Sequence, residues 1–126
     1  MDPEVRALLD EQYDSFNRGD WDAMMATYSE DIVFDQHPEI RPDATTIQGH
    51  DQVREFYAEF REMAEEIHLV REGEGELPDG RIRVDISLRG RWRLTGLEGQ
   101  LDMTHVWTTR DGKLARLEVV PRGHFD

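Results

Sequence analysis

The sequence predicts an α+β fold in which three N-terminal helices pack on one face of an antiparallel sheet. Apolar residues recur every three or four positions in the first half of the chain, which is the period of an amphipathic helix. In the second half they recur at every other position, which is the period of a half-buried strand. Helices followed by strands are typical of folds in which helices cover one side of an antiparallel sheet.

The three helices are predicted from apolar spacing and from residues that start and end helices. Asp2 can cap the first helix, Pro3 suits its first turn, and Gly19 marks its end. A second, short helix is predicted from Asp20, and a third follows Gly49. Their buried faces contain Val5, Leu8, Leu9 and Phe16; Trp21, Met24, Met25 and Tyr28; and Val53, Phe56, Tyr57, Phe60, Ala64 and Ile67.

Two strands are predicted from local patterns. A brief strand covers residues 31–37, and a polar loop over residues 38–48 leads to the third helix. A long strand covers residues 81–94, where even positions are apolar and odd positions are mostly arginine. Gly90 interrupts the apolar series, which indicates a bend in this half-buried strand.

Two glycines are predicted to leave space on the apolar face of the sheet. Pairing of the preceding strand across the Pro-Asp-Gly turn places Gly75 opposite Val84. The same register places Gly73 opposite Ile86. A glycine inside a strand marks a bulge, a bend or a close approach of a ligand. The sequence leaves a bulge and a cavity open as explanations.

The Asp-Gly pair at residues 111–112 predicts a hairpin, because this dipeptide favours the tight turn that joins two strands. Direct pairing across the turn places His105 opposite Glu118. It also places Trp107 opposite Arg116 on the same face. The other face carries small or apolar residues, among them Thr104, Val106 and Val119.

Either hairpin face could line a pocket. A His105–Glu118 pair would form an acid–base unit, because the carboxylate orients the imidazole and raises its basicity. The same pair could instead be a surface or dimer contact beside a stack of Trp107 on Arg116. The apolar face suits packing beneath helices, so we favour it as the pocket side.

Composition restricts the class of protein. A chain of 126 residues predicts a single domain over residues 1–126. The net charge of −13 disfavours binding to nucleic acid or to anionic membranes. The absence of cysteine excludes disulfides, thiolate metal sites and cysteine catalysis. No segment resembles a membrane span or a secretory signal, which leads us to expect a cytoplasmic protein.

Known cofactor motifs are missing from the sequence. The histidines lack the spacing of metal ligands, and there is no glycine-rich phosphate loop or dinucleotide-binding fingerprint. We therefore expect neither a metal nor a cofactor.

Three segments resemble the nuclear transport factor 2-like superfamily, and within it the SnoaL-like proteins and steroid Δ-isomerases. They are FNRGDWDAMMATYSEDIVFD at residues 16–35, IQGHDQVREFYAEF at residues 47–60 and RDGKLARLEVV at residues 110–120. The resemblance implies a cone-shaped fold, in which three helices close a strongly curved sheet around an apolar pocket. It also implies dimers formed through the outer sheet face. Because the family includes isomerases, cyclases, dehydratases and non-enzymatic binders, the fold alone does not give the function.

A residue-level comparison with the steroid isomerases separates this chain from their chemistry. Their mechanism uses a carboxylate base and an oxyanion hole made of a tyrosine and a protonated aspartate. The base position falls on Gln36 and the tyrosine position on Gln12, while the aspartate position falls on Thr104. Tyr57 matches a supporting tyrosine. Neutral groups stand at all three positions, so steroid-type isomerisation is not expected.

Other acid–base groups remain as catalytic candidates. Asp102 shares a strand face with Thr104 and could enter the pocket as a base, or it could lie in solvent at a strand end. Asp35 should point away from the pocket unless a bulge turns it inward. The predicted catalytic set is Asp102, His105 and Glu118.

The sequence thus predicts a protein that binds or converts an apolar, oxygenated small molecule, by isomerisation, cyclisation or dehydration if it is an enzyme. The alternative is a non-catalytic ligand-binding or dimerisation module. A homodimer is expected through the outer sheet face, with Trp107 and Arg116 in the contact. The predicted pocket residues are Gln12, Phe16, Tyr28, Gln36, Phe56, Tyr57, Phe60, Thr104, Val106 and Val119.

Overall fold

Within residues 1–41 and 46–125, which the computed structural model describes, the chain forms three helices and one six-stranded sheet. In chain order the elements are α1 (Pro3–Arg18), α2 (Trp21–Met25), β1 (Tyr28–Gln36), β2 (Ile47–Gln48), α3 (Gly49–Met63), β3 (Ala64–Glu76), β4 (Ile82–Trp92), β5 (Glu98–Arg110) and β6 (Lys113–Pro121). Part of the loop predicted over residues 38–48, residues 42–45, lies outside the described ranges.

The sheet is mixed, with the strand order β2-β1-β6-β5-β4-β3. Strands β1 and β6 pair in parallel, and the other neighbours pair antiparallel. The α+β class is confirmed, but the prediction of a wholly antiparallel sheet is wrong. The description of three N-terminal helices is not confirmed, because α3 follows β1 and β2; β1 corresponds to the brief strand predicted over residues 31–37. β1 lies beside β6, and the direction of β6 is determined by the β5–β6 hairpin. β1 runs in that same direction, which makes this one pairing parallel.

The helix starts follow the predicted capping signals. The Asp2 carboxylate accepts a hydrogen bond of 2.8 Å from the backbone N–H of Glu4, and Asp20 accepts one of 3.1 Å from Ala23. Helix α1 ends at Gly19, whose φ of 74° is the left-handed conformation that glycine adopts without strain. Helix α3 ends earlier than predicted, because Ala64 has extended backbone angles and pairs with Trp92 in the sheet.

The predicted pairing between β3 and β4 is wrong by one residue. Gly75 lies opposite Arg83, and Gly73 lies opposite Asp85. Both glycines therefore lie in register with the polar face of β4, so they leave no space on the apolar face. The pairing shifts between Arg71 and Gly73, where one additional residue of β3 forms an irregularity.

The β5–β6 hairpin also departs from the predicted register, and this change has larger consequences. Thr109 pairs with Leu114, as direct pairing across the turn requires, but Thr108 then pairs with Arg116. Ala115 is the additional residue of a β-bulge. Beyond the bulge Trp107 pairs with Leu117. The predicted pairs His105–Glu118 and Trp107–Arg116 are therefore wrong.

The bulge exchanges the two faces of β6 relative to β5, because successive side chains of a strand point to opposite sides. His105 and Trp107 lie on the face that packs against the helices, in register with Val119 and Leu117, and all four are buried. The predicted pocket residues Thr104 and Val106 point to the other face.

Trp107 lies at the centre of the core and is 0% exposed. Its ring stacks on Tyr28 at 6.0 Å between centroids and meets the ring of Phe34 edge-on at 6.5 Å. The prediction that Trp107 takes part in a dimer contact on the outer face is therefore wrong. Arg116 does lie on the outer face, where it forms an ion pair with Asp35.

Replacing Trp107 by alanine should destabilise the protein by about 3 to 5 kcal/mol, the usual cost of removing a large aromatic ring from a core. Chemical denaturation measures the free energy of unfolding. Trp92→Ala is the matched control, because Trp92 is 47% exposed and its loss should cost less than about 1 kcal/mol. A normal stability of Trp107→Ala, with a lower apparent mass in size exclusion, would instead place this ring in an interface.

Candidate functional site

A cavity of about 450 Å³ lies between α3 and the helix-facing side of the sheet. This volume is within the range of small-molecule binding sites. Most of its wall is apolar, formed by Phe16, Phe34, Ile40, Phe56, Tyr57, Phe60, Met63, Ala64, Ile67, Leu69, Leu88, Gly90, Trp92, Gly99, Leu101, Met103, Leu117 and Val119. The remaining lining residues are polar: Gln36, Arg41, Glu59, Arg89, Gln100 and His105.

The structure brings together some of the predicted pocket residues and separates others. The lining includes Phe16, Gln36, Phe56, Tyr57, Phe60 and Val119. Gln12 and Tyr28 are buried in the core outside the lining, and Thr104 and Val106 are buried on the opposite side of the sheet. The aromatic positions on helices, Phe16, Phe56, Tyr57 and Phe60, agree with the geometry because the helical period places them on one face, whereas Gln12 of α1 does not line the cavity. The two β5 positions do not, because these even-numbered residues point away from the helices.

Gln36 and His105 lie on the same face of the sheet with one strand between them. Each of them pairs with Val119 of β6, Gln36 from β1 and His105 from β5. Residues in register on neighbouring strands point to the same side, and strands lie about 4.8 Å apart. The amide and the imidazole are therefore carried by backbone positions roughly 9 to 10 Å apart across the cavity wall.

The hydroxyl of Tyr13 links His105 to the core. Tyr13 Oη accepts a hydrogen bond of 2.9 Å from Trp107 Nε1 and lies 2.8 Å from His105 Nδ1. The phenol ring of Tyr13 also stacks on the imidazole, with 5.8 Å between centroids and 16° between planes. One side chain of α1 thus holds two side chains of β5.

These contacts determine the tautomer of His105. The indole N–H of Trp107 can only donate, so the Tyr13 hydroxyl accepts from it. The proton of that hydroxyl then has His105 Nδ1 as its acceptor among the described residues. Nδ1 is therefore unprotonated, and the neutral ring carries its proton on Nε2. Within the described part of the chain Nε2 has no hydrogen-bond partner, and the ring lines the cavity.

His105 is a neutral hydrogen-bond donor rather than a base. Burial lowers the pKa of His105 to about 3, because the charged imidazolium is poorly solvated in the interior. The predicted His105–Glu118 dyad is wrong, since Glu118 lies on the outer face and forms an ion pair of 3.1 Å with Arg81.

The carboxylates predicted near the pocket lie outside it. Asp102 is exposed on the outer side of β5, where it accepts a hydrogen bond of 3.0 Å from Gln100. Hydrogen bonds from Gln100 and Ser87 hold the pKa of Asp102 below its usual value, which favours the charged form in solvent. Asp35 points outward to Arg116, as the strand alternation predicted. Among the described lining residues Glu59 is the one carboxylate, and it is exposed on α3.

A second set of neutral groups lies behind the aromatic wall. The Tyr28 hydroxyl donates to Gln12 Oε1, and it lies 3.5 Å from the hydroxyl of Tyr57, which lines the cavity. Burial raises the pKa of Tyr57 to about 12, so this hydroxyl stays protonated at physiological pH. The cavity therefore offers hydrogen-bonding groups that remain uncharged.

Sequence reasoning missed Tyr13 and the outer part of the cavity. Tyr13 adjoins Gln12 in α1, and its only signal was a place between apolar positions of the helix. Trp92 and Leu88 belong to the apolar series of β4, so their alternation could have identified them as lining residues.

Within the two described ranges there is no group of three or more His, Asp and Glu side chains arranged to hold a metal ion. The helices described there are also too short or too polar to cross a membrane.

A sequence profile of the SnoaL-like domain matches residues 9–117 of the chain, which confirms the predicted resemblance. No curated protein matches the chain significantly.

Solved structures share the fold. An NTF2-like protein of unknown function from Burkholderia pseudomallei is 23% identical, with a TM-score of 0.79 over 94% of this chain and 90% of that one. TerC, co-crystallised with polyporic acid, is 24% identical, with a TM-score of 0.79 over 94% and 91%. A candidate polyketide cyclase from Xanthomonas campestris pv. campestris is 22% identical, with a TM-score of 0.79 over 92% and 88%. At these identities the likeness establishes the NTF2-like fold.

Tyr13→Phe should remove the tautomer preference of His105, because it deletes the group that donates to Nδ1. The imidazole ¹⁵N chemical shifts measure which nitrogen carries the proton. The variant also leaves Trp107 Nε1 without an acceptor, which should cost about 1 to 3 kcal/mol of stability. Tyr57→Phe is the matched control and should leave the imidazole shifts unchanged. Unaltered shifts in Tyr13→Phe would contradict the assigned tautomer.

Acid should weaken the protein through His105. Between pH 6.5 and pH 3 the unfolded chain binds a proton at this residue and the native state does not, so stability falls as pH falls. The free energy of unfolding of the wild type should therefore drop relative to that of His105→Gln by about 2 kcal/mol between pH 7 and pH 5. Denaturant titrations at several pH values measure this difference. His68→Gln, at an exposed position of β3, controls for the loss of an imidazole. A difference independent of pH would show that folding leaves the pKa of His105 unchanged, and would contradict the buried, neutral imidazole.

Proposed function

Because the chain belongs to the SnoaL-like domain family, whose members bind small molecules, we propose that it binds an apolar, oxygenated small molecule and holds one carbonyl oxygen at His105. The observation that carries this proposal is the hydrogen bond between Tyr13 and His105 Nδ1, which leaves the Nε2–H as a donor in an apolar cavity. A carbonyl oxygen is the complementary acceptor.

The environment of His105 strengthens such a bond. A hydrogen bond in a low-dielectric interior is electrostatically stronger than one in water. A neutral imidazole can also polarise a substrate carbonyl without bringing a charge into the site. Gln36 offers a second contact, since its amide can both donate and accept. Aromatic rings on α1, α3 and β1 would cover the rest of a planar ligand.

Acid–base catalysis is the second part of the proposal. A carbonyl polarised by His105 makes a neighbouring C–H more acidic, which is the first requirement for cofactor-independent isomerisation, cyclisation or dehydration. The similarity to a candidate polyketide cyclase favours cyclisation within this group. The proton acceptor would be water or Glu59, because Asp102 and Glu118 lie on the other side of the sheet. The geometry therefore supports binding and carbonyl polarisation more directly than proton abstraction.

A homodimer in the cytoplasm remains a separate prediction. The outer sheet face that would form the contact carries charged pairs, including Arg83–Asp85 at 3.4 Å and Arg81–Glu118 at 3.1 Å. A dimer through this face would depend on matching such charges between copies and would involve Arg116 without Trp107.

The proposal predicts that His105 distinguishes a ketone from a hydrocarbon of the same shape. Acetylnaphthalene should bind, and His105→Leu should weaken its binding by about tenfold, the usual effect of one buried hydrogen bond. Ethylnaphthalene, which lacks the oxygen, should bind wild type and variant equally. Calorimetric titration measures the affinities, and a dose-dependent rise in Tm confirms binding to the folded state. An equal loss for both ligands would show that His105 contributes only shape.

A further inference from the structure

The cavity opens to the surface between apolar side chains. Met63, Trp92 and Leu101 all line it. They are nevertheless 54%, 47% and 42% exposed, respectively. Exposed large apolar residues are usually scattered singly over a protein surface. Here the three residues join the buried wall of the cavity to solvent, beside the exposed polar lining residues Glu59, Arg89 and Gln100.

Most of the exposed apolar surface is concentrated at this opening. Of the seven large apolar residues exposed in the described part of the chain, five lie at the end of α3, in the β4–β5 turn or beside it: Met63, Trp92, Leu94, Leu97 and Leu101. Leu94 and Leu97 belong to the turn and do not line the cavity. This exposed apolar patch therefore has two parts. Met63, Trp92 and Leu101 also line the cavity, whereas Leu94 and Leu97 do not.

The glycine at position 99 shapes the wall beside Trp92. A Cβ atom at Gly99 would lie 3.2 Å from Trp92 Nε1, a tight contact that the indole would have to relieve by a small shift. Gly90 lies directly opposite Gly99 in the sheet, and both residues line the cavity. The absence of a side chain at Gly99 allows the indole to lie against β5, whereas a Cβ at Gly90 would meet Ile67, another lining residue, at 3.5 Å.

The length and charge of the channel limit what it can hold. His105 and Leu101 lie four residues apart on β5, which corresponds to about 13 Å. The side chains in contact with His105, Tyr13 and Trp107, are neutral. The arginines of the lining lie elsewhere, Arg89 opposite Gln100 in the sheet and Arg41 over the ring of Phe56. A carboxylate buried at His105 would therefore lack a charged partner there and would be poorly tolerated. A neutral oxygenated group therefore suits the inner end, and an apolar chain suits the remainder.

From these observations, and resting on the proposed function, we infer that the ligand is an elongated neutral carbonyl compound. Its oxygen accepts from His105, and its apolar chain leaves the cavity between Met63, Trp92 and Leu101. The chain is long enough to reach the surface. The chain neighbours of Trp92 are paired arginines, Arg91 with Glu98 at 3.1 Å and Arg93 with Glu65 at 3.2 Å. The exit is consequently an apolar strip, formed by Met63, Trp92 and Leu101, next to paired charges.

A homologous series of 2-alkanones tests this inference in the full chain. Calorimetric titration should show affinity rising by up to about fourfold for each added methylene, because each one buries further apolar surface. The rise should continue for chains that reach Trp92 and Leu101. A fatty acid of matched length should bind at least tenfold more weakly at pH 8.

Variants at the opening distinguish contacts with the alkyl chain of the ligand from the contact with its carbonyl oxygen. Leu101→Ser and Gly99→Ala, which crowds the Trp92 ring, should weaken the long ketones and leave the shortest one unchanged. Leu94→Ser is the matched control, since Leu94 is 97% exposed and lies outside the lining. Thermal unfolding of each variant checks that the fold is retained.

The outcomes are distinct. If affinity stops rising at short chains and the opening variants have no effect, the inference of an elongated ligand is wrong. In that case, a ketone affinity that still depends on His105 upholds the proposed function. If no ketone binds, both proposals fail. If Trp92→Ser converts a dimer into a monomer and long ketones leave the dimer intact, a second copy covers the strip and the inference is overturned.

Discussion

The hydroxyl of Tyr13 joins the core of this protein to its cavity. It accepts from the indole of Trp107, the most deeply buried aromatic ring, and it donates to the imidazole of His105. Helix α1 is thereby attached to β5 by a polar contact as well as by packing. Because the same proton also fixes the tautomer of His105, the donor offered to a ligand depends on how the core is assembled. The hydrogen-bonded side chains of Trp107, Tyr13 and His105 therefore contribute to both stability and ligand recognition.

Charged and neutral side chains occupy different parts of this fold. The chain has 28 acidic residues against 15 lysines and arginines, yet the side chains in contact with His105, Tyr13 and Trp107, are neutral. The ion pairs lie at the surface, on the helices as well as on the outside of the sheet. A buried carboxylate near His105 would raise the pKa of the imidazole and turn the donor into an ion. The outward direction of Asp102 and Glu118 therefore preserves the character of the site.

The sequence identified what local chemistry determines. Asp2 and Asp20 begin helices, Gly19 ends one, and the turn at residues 111–112 forms a hairpin, because each depends on a few neighbouring residues. The aromatic wall on α3 followed from helical period. The parallel pairing of β1 with β6 did not follow, since it joins strands far apart in the chain. Nor did the face of β5 that lines the cavity, because nothing in the run around Ala115 marks it as the additional residue of a bulge.

That bulge affects how residues of relatives can be compared with this chain. A match of identical residues along two hairpins assumes that equal positions face the same way. One additional residue in one of the hairpins makes this assumption wrong for the rest of the strand, because every later side chain then points to the opposite face. Two members of the family could thus keep the same side chains in the same order and present opposite sets to the ligand. Substitutions that appear to erase a site in an alignment can therefore leave a different site intact on the reverse side of the strand.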